Sequence, residues 1–282
     1  MIPGYTIRTM TRHETRLAVE WAAAEGWNPG LEDAECFYCA DQDGFLVGLL
    51  DGEPVACISV VRYENSFGFL GFYIVRPEYR GQGLGLAIWN AGLQRLEGRV
   101  VGLDGVVAQQ ENYRKSGFVL AYRNIRYMGV SRQNRENPRE AVPLSSISFE
   151  ELAAYDREFF PDDRRDFLQC WTSREQSRAF GVRRNGKLAG YGLIRPCRAG
   201  FKIGPLFADN PELAETLFRA LESSVPEGSP IFLDIPEVNL AALELVQRHE
   251  MSVVFETARM YKGPAPQLPI ERIFGVTTFE LG

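Results

Sequence analysis

Two dipeptides, Asp51-Gly52 and Asn185-Gly186, constrain the fold more than any other feature of this chain, because each joins two β-rich runs and they lie 134 residues apart. A two-residue hairpin turn of type I′ needs positive φ at both central residues, which Asp-Gly and Asn-Gly supply. Phe45 to Leu50 and Val55 to Tyr63 flank the first turn; Phe180 to Arg184 and Lys187 to Arg195 flank the second. The sequel repeats too. After the first hairpin come a strand (Phe67 to Val75), an amphipathic helix (Leu86 to Leu96), a strand (Val101 to Ala108), a short helix over 109–116 and a β-rich run from Phe118. After the second come a strand (Phe201 to Phe207), a helix (Pro211 to Val225, capped by Asp209 or Asn210), a strand (Ile231 to Ile235) and a helix (Val238 to His249). The endings align at a constant offset of 133, with Phe118, Tyr122 and Arg126 matching Met251, Phe255 and Arg259. A chain of 282 residues can bury two full cores. The expectation is a tandem: a unit over 1–130, a charge- and proline-rich linker over 131–143 and a second unit over 144–282. In the first unit, a strand over Ile7 to Met10 precedes a helix that ends near Ala24, with Thr11 and Glu14 spaced as a capping box.

The run Ile74-Val75-Arg76-Pro77-Glu78-Tyr79-Arg80-Gly81-Gln82-Gly83-Leu84-Gly85 carries the chemistry. A strand enters a loop with three glycines, and the loop opens onto a helix. Glycines let the backbone take φ > 0 and approach a ligand closely. The free N–H groups of the first helical turn and the helix dipole favour an anion there. Two common phosphate loops fail on spacing. A Walker A loop would end in Lys-Ser/Thr, where this chain has Leu86-Ala87, and the dinucleotide fingerprint would need Gly at 86 or 88, where it has Leu86 and Ile88. In the second half the same place reads Phe207-Ala208-Asp209-Asn210-Pro211-Glu212. There a proline removes a donor and two carboxylates repel a pyrophosphate, so one anion site per chain is expected.

The segment resembles the acyl-CoA loop of the GNAT N-acetyltransferases, Q/R-x-x-G-x-G/A, with Arg80, Gly83 and Gly85 at its fixed positions and Val75 to Tyr79 as its lead-in. Tyr113-Arg114-Lys115-Ser116-Gly117-Phe118 resembles that family's second motif, Y-x-x-x-G-F. The two-unit layout is similar to the GNAT subgroup in which a degenerate unit follows an active one. Its further marks here are Gly26-Trp27-Asn28-Pro29-Gly30, Asp156 with Phe160 and Arg164, Ile203 to Asp209, and the closing Phe279-Glu280-Leu281-Gly282.

The resemblance implies an α/β (α+β) fold of tandem units, each a mixed, largely antiparallel sheet flanked by helices. It implies an N-acetyltransferase that moves an acetyl group from acetyl-CoA to a primary amine by direct attack, releasing CoA. The loop over Arg80, Gly81, Gln82, Gly83, Leu84 and Gly85 would hold the pyrophosphate. Ile74 and Val75 would flank the thioester, with the Val75 N–H polarising its carbonyl. Gln109 or Asn112 would supply the side-chain contact to the pantetheine arm. Tyr113 falls at the family's general-acid position, where a phenol protonates the departing thiolate. The proton of the amine needs an acceptor, yet Phe67 to Val75 contains no acidic residue. A lone Asp in an apolar strand is either functional or well hydrogen-bonded, which puts forward Asp104, against a turn role beside Gly105; a water chain is the other route. Trp27, Asn28, Asp156 and Arg164 are candidates for the acceptor pocket between the halves. A non-catalytic acyl-CoA sensor is the rival reading.

The net charge of −6 argues against a nucleic-acid partner and accords with a cationic amine, small or peptidic. No apolar run is long enough to span a bilayer, and Met1 to Tyr5 lacks a signal-peptide pattern, so a cytoplasmic protein is expected. Oligomeric state is not legible. The five cysteines (36, 39, 57, 170 and 197) have no framework spacing and read as reduced thiols. Cys36-x-x-Cys39 is half a zinc pattern without a second pair, so no metal is expected.

Overall fold

The computed structural model describes residues 2–132 and 140–282; residues 133–139 of the expected linker lie outside the described residues. The first half runs β1 (Tyr5–Thr9), α1 (Thr15–Ala24), α2 (Asp33–Ala40), β2 (Phe45–Leu50), β3 (Glu53–Tyr63), β4 (Phe67–Val75), α3 (Leu84–Arg95), β5 (Val100–Val106), α4 (Gln110–Lys115) and β6 (Val119–Val130). The second runs β7 (Ala141–Pro143), α5 (Phe149–Asp156), α6 (Arg165–Thr172), β8 (Arg178–Arg184), β9 (Lys187–Pro196), β10 (Phe201–Ala208), α7 (Pro211–Ser223), β11 (Pro230–Pro236), α8 (Leu240–Arg248), β12 (Ser252–Lys262) and β13 (Ile273–Gly275).

Both hairpins form as the turns dictate: φ is +51° and +88° at Asp51 and Gly52, and +52° and +78° at Asn185 and Gly186. Glu14 reaches back to the Thr11 N–H at 2.8 Å, one half of a capping box, and the helix itself begins one residue later. Of the two candidate caps for α7, Asn210 takes the place, its side chain accepting from the Leu213 N–H. Sequence periodicity gave no sign of α2, which lies across the segment read as half a zinc pattern.

The strands form one mixed sheet in the order β1-β2-β3-β4-β5-β12-β6-β11-β10-β9-β8-β7, with β13 added on β10. The centre is an exchange. The closing strand of the first half, β6, pairs with β11 of the second, and the closing strand of the second, β12, pairs with β5 of the first. A reciprocal pair of buried ion pairs pins it. Arg126 on β6 faces Asp234 on β11 at 2.7 Å, and Arg259 on β12 faces Asp104 on β5 at 2.5 Å, in direct cross-strand register. The two arginines are positions that the 133-residue offset equates and the two aspartates lie on corresponding strands, so each half's aspartate is neutralised by the other half's arginine. Removing one partner strands a buried charge and costs roughly 3–5 kcal/mol. Asp234→Ala should therefore lower unfolding free energy by about that much in urea titration; a loss under about 1 kcal/mol would mean the exchange does not depend on the pair.

Two strand pairs are parallel, β4 with β5 and β10 with β11, and each separates partway along. Pairing ends at Leu70/Leu103 in the first and at Ile203/Leu233 in the second. In the second half, β13 fills the resulting gap, pairing with β10 while the Val276 N–H bonds the Asp234 carbonyl. In the first half the gap stays open.

Candidate active site

The open gap between β4 and β5 is a cavity of about 450 Å³. Its shape follows from local backbone choices. Opposite Ile58, β4 carries an extra residue, so the register shifts between Cys57/Ile74 and Ser59/Gly71, and Phe72 takes φ +45°. Such a bulge bends the strand and re-aims its peptide groups. Beyond it, Arg76 donates its N–H to Val55. Alternation along the ladder then turns the peptide groups of Val75 away from β3 and toward the gap. The Val75 carbonyl is taken there by Arg80 Nε at 2.8 Å, while Arg80 Nη2 reaches Glu25.

At the cavity mouth, Gly81 and Gly83 sit at φ +77° and +82°, and Gly83 precedes the first residue of α3. The helix starts at Leu84, two residues before the hydrophobic pattern suggests, because Gly85 fits inside its first turn. A methyl group on Gly85 would lie 2.7 Å from the Tyr73 hydroxyl and 3.0 Å from Val75 Cγ2. No side chain caps this helix, and among the described residues the N–H groups of residues 81–86 meet no protein acceptor. By contrast α7 is capped by Asn210, and an uncapped first turn with free N–H groups is the arrangement that suits an anion.

Tyr113 lies deep in the same cavity, its ring stacked on Trp89 at 5.4 Å and packed flat on Gly105. Burial, and then the nearby Tyr73, push its phenol well above the ordinary tyrosine range, so it stays protonated through neutral pH. Among the described residues its hydroxyl makes no hydrogen bond. A Cβ at position 105 would sit 2.1 Å from Tyr113 Cε2. Gly105→Ala should therefore displace the ring and cut turnover at least tenfold while the melting temperature moves by only a few degrees; full turnover would show that the ring position does not matter.

The sequence candidates divide. Ile74, Val75, Arg80, Gly81, Gly83, Gly85, Asp104, Gln109, Tyr113 and Trp27 all line the cavity. Gln82 and Leu84 belong to the loop without lining it: the Gln82 amide bonds the Glu78 carbonyl, and Leu84 is buried in the core beneath. Asn112 donates to Gln109 Oε1 at 2.7 Å, which leaves Gln109 as the one facing the cavity. Asp104 has both oxygens engaged, by Arg259 and by the Asn124 amide at 2.8 Å. Its side chain is a strut of the strand exchange at the cavity wall. Asn28 lies outside the cavity, at φ +51°, clasping Ala199 through both N–H and C=O. Asp156 and Arg164 also lie outside, as a buried bidentate pair. Tyr191 donates to Asp156, and Arg164 donates to the Gly282 carbonyl at 3.3 Å. These three residues shape the pocket at second hand, by fastening the segments that reach it.

One such segment brings a residue that no motif announced. Residues 276–282 cross from β10 to β4, held by the Tyr63 hydroxyl on the Leu281 carbonyl (2.9 Å) and by Thr278 Oγ1, which accepts from the Glu280 and Leu281 N–H groups. The Glu280 carbonyl lies where a Cβ on Gly71 would be, 2.2 Å away, so the segment passes directly over the bulge. Phe279 and Glu280 line the cavity, as do Phe255 and Thr257 of β12. Glu280 is buried, and among the described residues its carboxylate forms no ion pair and no hydrogen bond. The signal that could have found it was the acidic residue missing from β4 together with Phe279-Glu280 in the closing segment. Among the described residues no cluster of His, Cys, Asp and Glu has the geometry of a metal site, and no helix is long and apolar enough to cross a membrane.

A glycine loop at an uncapped helix, a strand pair that separates, and a phenol within the gap define an acyl-CoA-dependent acyltransferase. Family models agree: one described as Acetyltransferase (GNAT) family matches residues 9–118, and one described as Acetyltransferase (GNAT) domain matches residues 152–275. The chain is 32% identical over 278 residues to a holothin acyltransferase of Pseudoalteromonas sp. (strain SANK 73390), covering 99% of this chain and 95% of that protein. It is 27% identical over 190 residues to an N-acetyltransferase, YitH, of Bacillus subtilis (strain 168), 66% of each chain. The crystal structure of a proposed acetyltransferase from Pyrococcus horikoshii superposes with a TM-score of 0.85 at 25% identity, over 100% of this chain and 97% of that one. A tandem GNAT protein from the clavulanic acid biosynthesis pathway shares the fold, with a TM-score of 0.63 at 12% identity over 93% of this chain and 100% of that one. The chain belongs to the GNAT acetyltransferases, as a two-unit member, and is an acyl-CoA-dependent N-acyltransferase.

Proposed function

We propose that the chain transfers an acetyl group from acetyl-CoA to the primary amine of a small molecule, and that residues 1–130 hold the donor while residues 144–282 complete the acceptor wall. The observation that carries this reading is the single open gap, with unpartnered N–H groups at one end, Tyr113 within and Glu280 across it. The loop N–H groups and the start of α3 bind the pyrophosphate; Arg80, released from Glu25, is the one loop cation beside them. The thioester carbonyl lies along β4 beyond the bulge, within reach of the Val75 N–H. Gln109 meets the pantetheine arm. The amine nitrogen attacks the thioester carbon, Tyr113 delivers its proton to the departing sulfur, and Glu280 takes the proton lost by nitrogen. Asp104 keeps Arg259 neutralised and β12 in place rather than serving as the base.

The walls beside Glu280 are Trp27, Phe255 and Phe279, which suits an acceptor with a flat apolar body. A cavity of this size, shared with the pantetheine arm, suits a small acceptor better than a folded protein. Since the relative from Pseudoalteromonas is a holothin acyltransferase, holothin is the first acceptor to try, beside 2-phenylethylamine and spermidine. Calorimetric titration with acetyl-CoA, CoA, ATP and NADH tests the donor; product mass spectrometry with each acceptor tests the transfer. Binding of acetyl-CoA and acetylation of a flat amine in preference to spermidine are expected. Binding of a nucleotide in place of acetyl-CoA would overturn the donor assignment.

A further inference from the structure

Cys36 and Cys39, which read as half a metal pattern, find their third partner in the other half of the chain. Helices α2 and α6 pack together, and Cys36 Sγ lies 2.6 Å from Cys170 Sγ across 134 residues of sequence. Cys39 lies on the same helix, three residues after Cys36. One turn beyond Cys170, Arg174 stacks on Trp171 at 4.0 Å and bonds Asp33, but its Nε and Nη2 are buried without a partner among the described residues. The guanidinium, ion-paired with Asp33 through Nη1, brings positive charge to the end of α6 that carries Cys170. We propose that Cys170 is a peroxide-reactive thiol and that its oxidation links it to Cys36, closing a covalent tie between the two halves.

Hydrogen bonding from Cys36 and then Cys39, with the Arg174 charge, holds the Cys170 thiol down to about 7 against the burial that raises it, while its bond to Cys170 and burial push Cys36 well up. Cys170 is also the more accessible of the two, half-buried where Cys36 is buried, which makes Cys170 the thiolate that meets the peroxide and Cys36 the resolving thiol. The steps balance. The Cys170 thiolate attacks one peroxide oxygen, the O–O bond breaks, hydroxide leaves and a sulfenic acid remains. Cys36 sulfur then displaces the sulfenic hydroxyl, and its proton leaves with that hydroxyl as water. Two thiols and one hydrogen peroxide give one disulfide and two waters, the two electrons passing from sulfur to oxygen. Cys57 and Cys197 are buried on other elements and take no part.

The test uses the full chain, reduced, desalted and treated with one equivalent of hydrogen peroxide. Thiol titration under denaturing conditions should fall from five to three, non-reducing peptide mapping should return a Cys36–Cys170 link, and dithiothreitol should restore all five thiols. Because the link closes a long loop, the oxidised chain should melt about 5 °C or more above the reduced one. Cys170→Ser should keep its four thiols under the same dose, and Cys39→Ser should still form the link. Retention of five thiols, a link to Cys39 in place of Cys36, or oxidation confined to Cys57 or Cys197 would overturn the proposal. Should Cys170→Ser fail to fold, the peptide map of the unmodified chain decides alone. None of these readouts involves acetyl-CoA, so the outcome is independent of the function proposed above.

Discussion

Tyr113→Phe should lower kcat for acetyl transfer by about 10²–10³-fold while the dissociation constant for acetyl-CoA stays within about threefold. The separation is sharp because of how the residue is held. The ring is fixed by Trp89 on one side and Gly105 on the other, and phenylalanine fills that slot equally well. The hydroxyl contributes nothing to the fold, since among the described residues it has no partner, so its loss leaves no buried group unsatisfied. The melting temperature should hold to within a degree or two. What disappears is the proton at the point where the thiolate departs. The raised affinity of the phenol for its proton keeps it a donor across the working range, so the wild-type rate should show no alkaline fall attributable to Tyr113 below pH 10. Isothermal titration with acetyl-CoA and steady-state kinetics, run side by side, decide the matter. Weakened acetyl-CoA binding with unchanged kcat would reassign Tyr113 to ligand packing.

Much of this arrangement was legible in the sequence because its determinants are local. An Asp-Gly or Asn-Gly between two β-rich runs can make few other turns, and both hairpins formed. The loop and α3 were readable because Gly81, Gly83 and Gly85 act through their own φ and their own missing side chains. Even the repeat was visible as an offset. What the offset did not reveal was which neighbour each closing strand joins. A strand presents the same alternation to either neighbour, so Val119–Val130 reads identically whether it returns to β5 or crosses to β11. The matched pairs Arg126/Arg259 and Asp104/Asp234 held the clue. Two buried charges in one unit could have paired within it; the structure pairs them across.

That crossing is also why Asp104 drew attention as a proton acceptor. From sequence it was a solitary carboxylate in an apolar strand, and its partner, Arg259, lay 155 residues away. The same long range hid the closing segment. Nothing local to Phe279-Glu280 says that the chain will pass over Gly71, because the permission comes from the glycine and the fastening comes from Tyr63, Thr278 and Arg164. Asp156 and Arg164 were singled out as pocket residues because they are marks of the two-unit layout, but their charge is spent on each other and on Gly282.

Glu280→Gln should reduce kcat/KM for amine acetylation by about 10²–10⁴-fold, the range that a positioned base contributes, and leave acetyl-CoA binding within about threefold. Glutamine preserves shape and the backbone fastening through Thr278, so the segment stays on Gly71. Acceptor basicity separates a base from a structural carboxylate. A weakly basic amine reaches the site already neutral, so glutamine should cost it less rate than it costs a strongly basic amine. Glu280→Asp retains the carboxylate on a shorter stem and should recover part of the rate. A variant that loses rate equally for both amines would place Glu280 among the residues that merely balance the buried arginines. A loss concentrated on the basic amine, at undisturbed acetyl-CoA affinity, would mean that the proton of the acceptor is received by a residue from the half of the chain that has no acyl-CoA loop of its own.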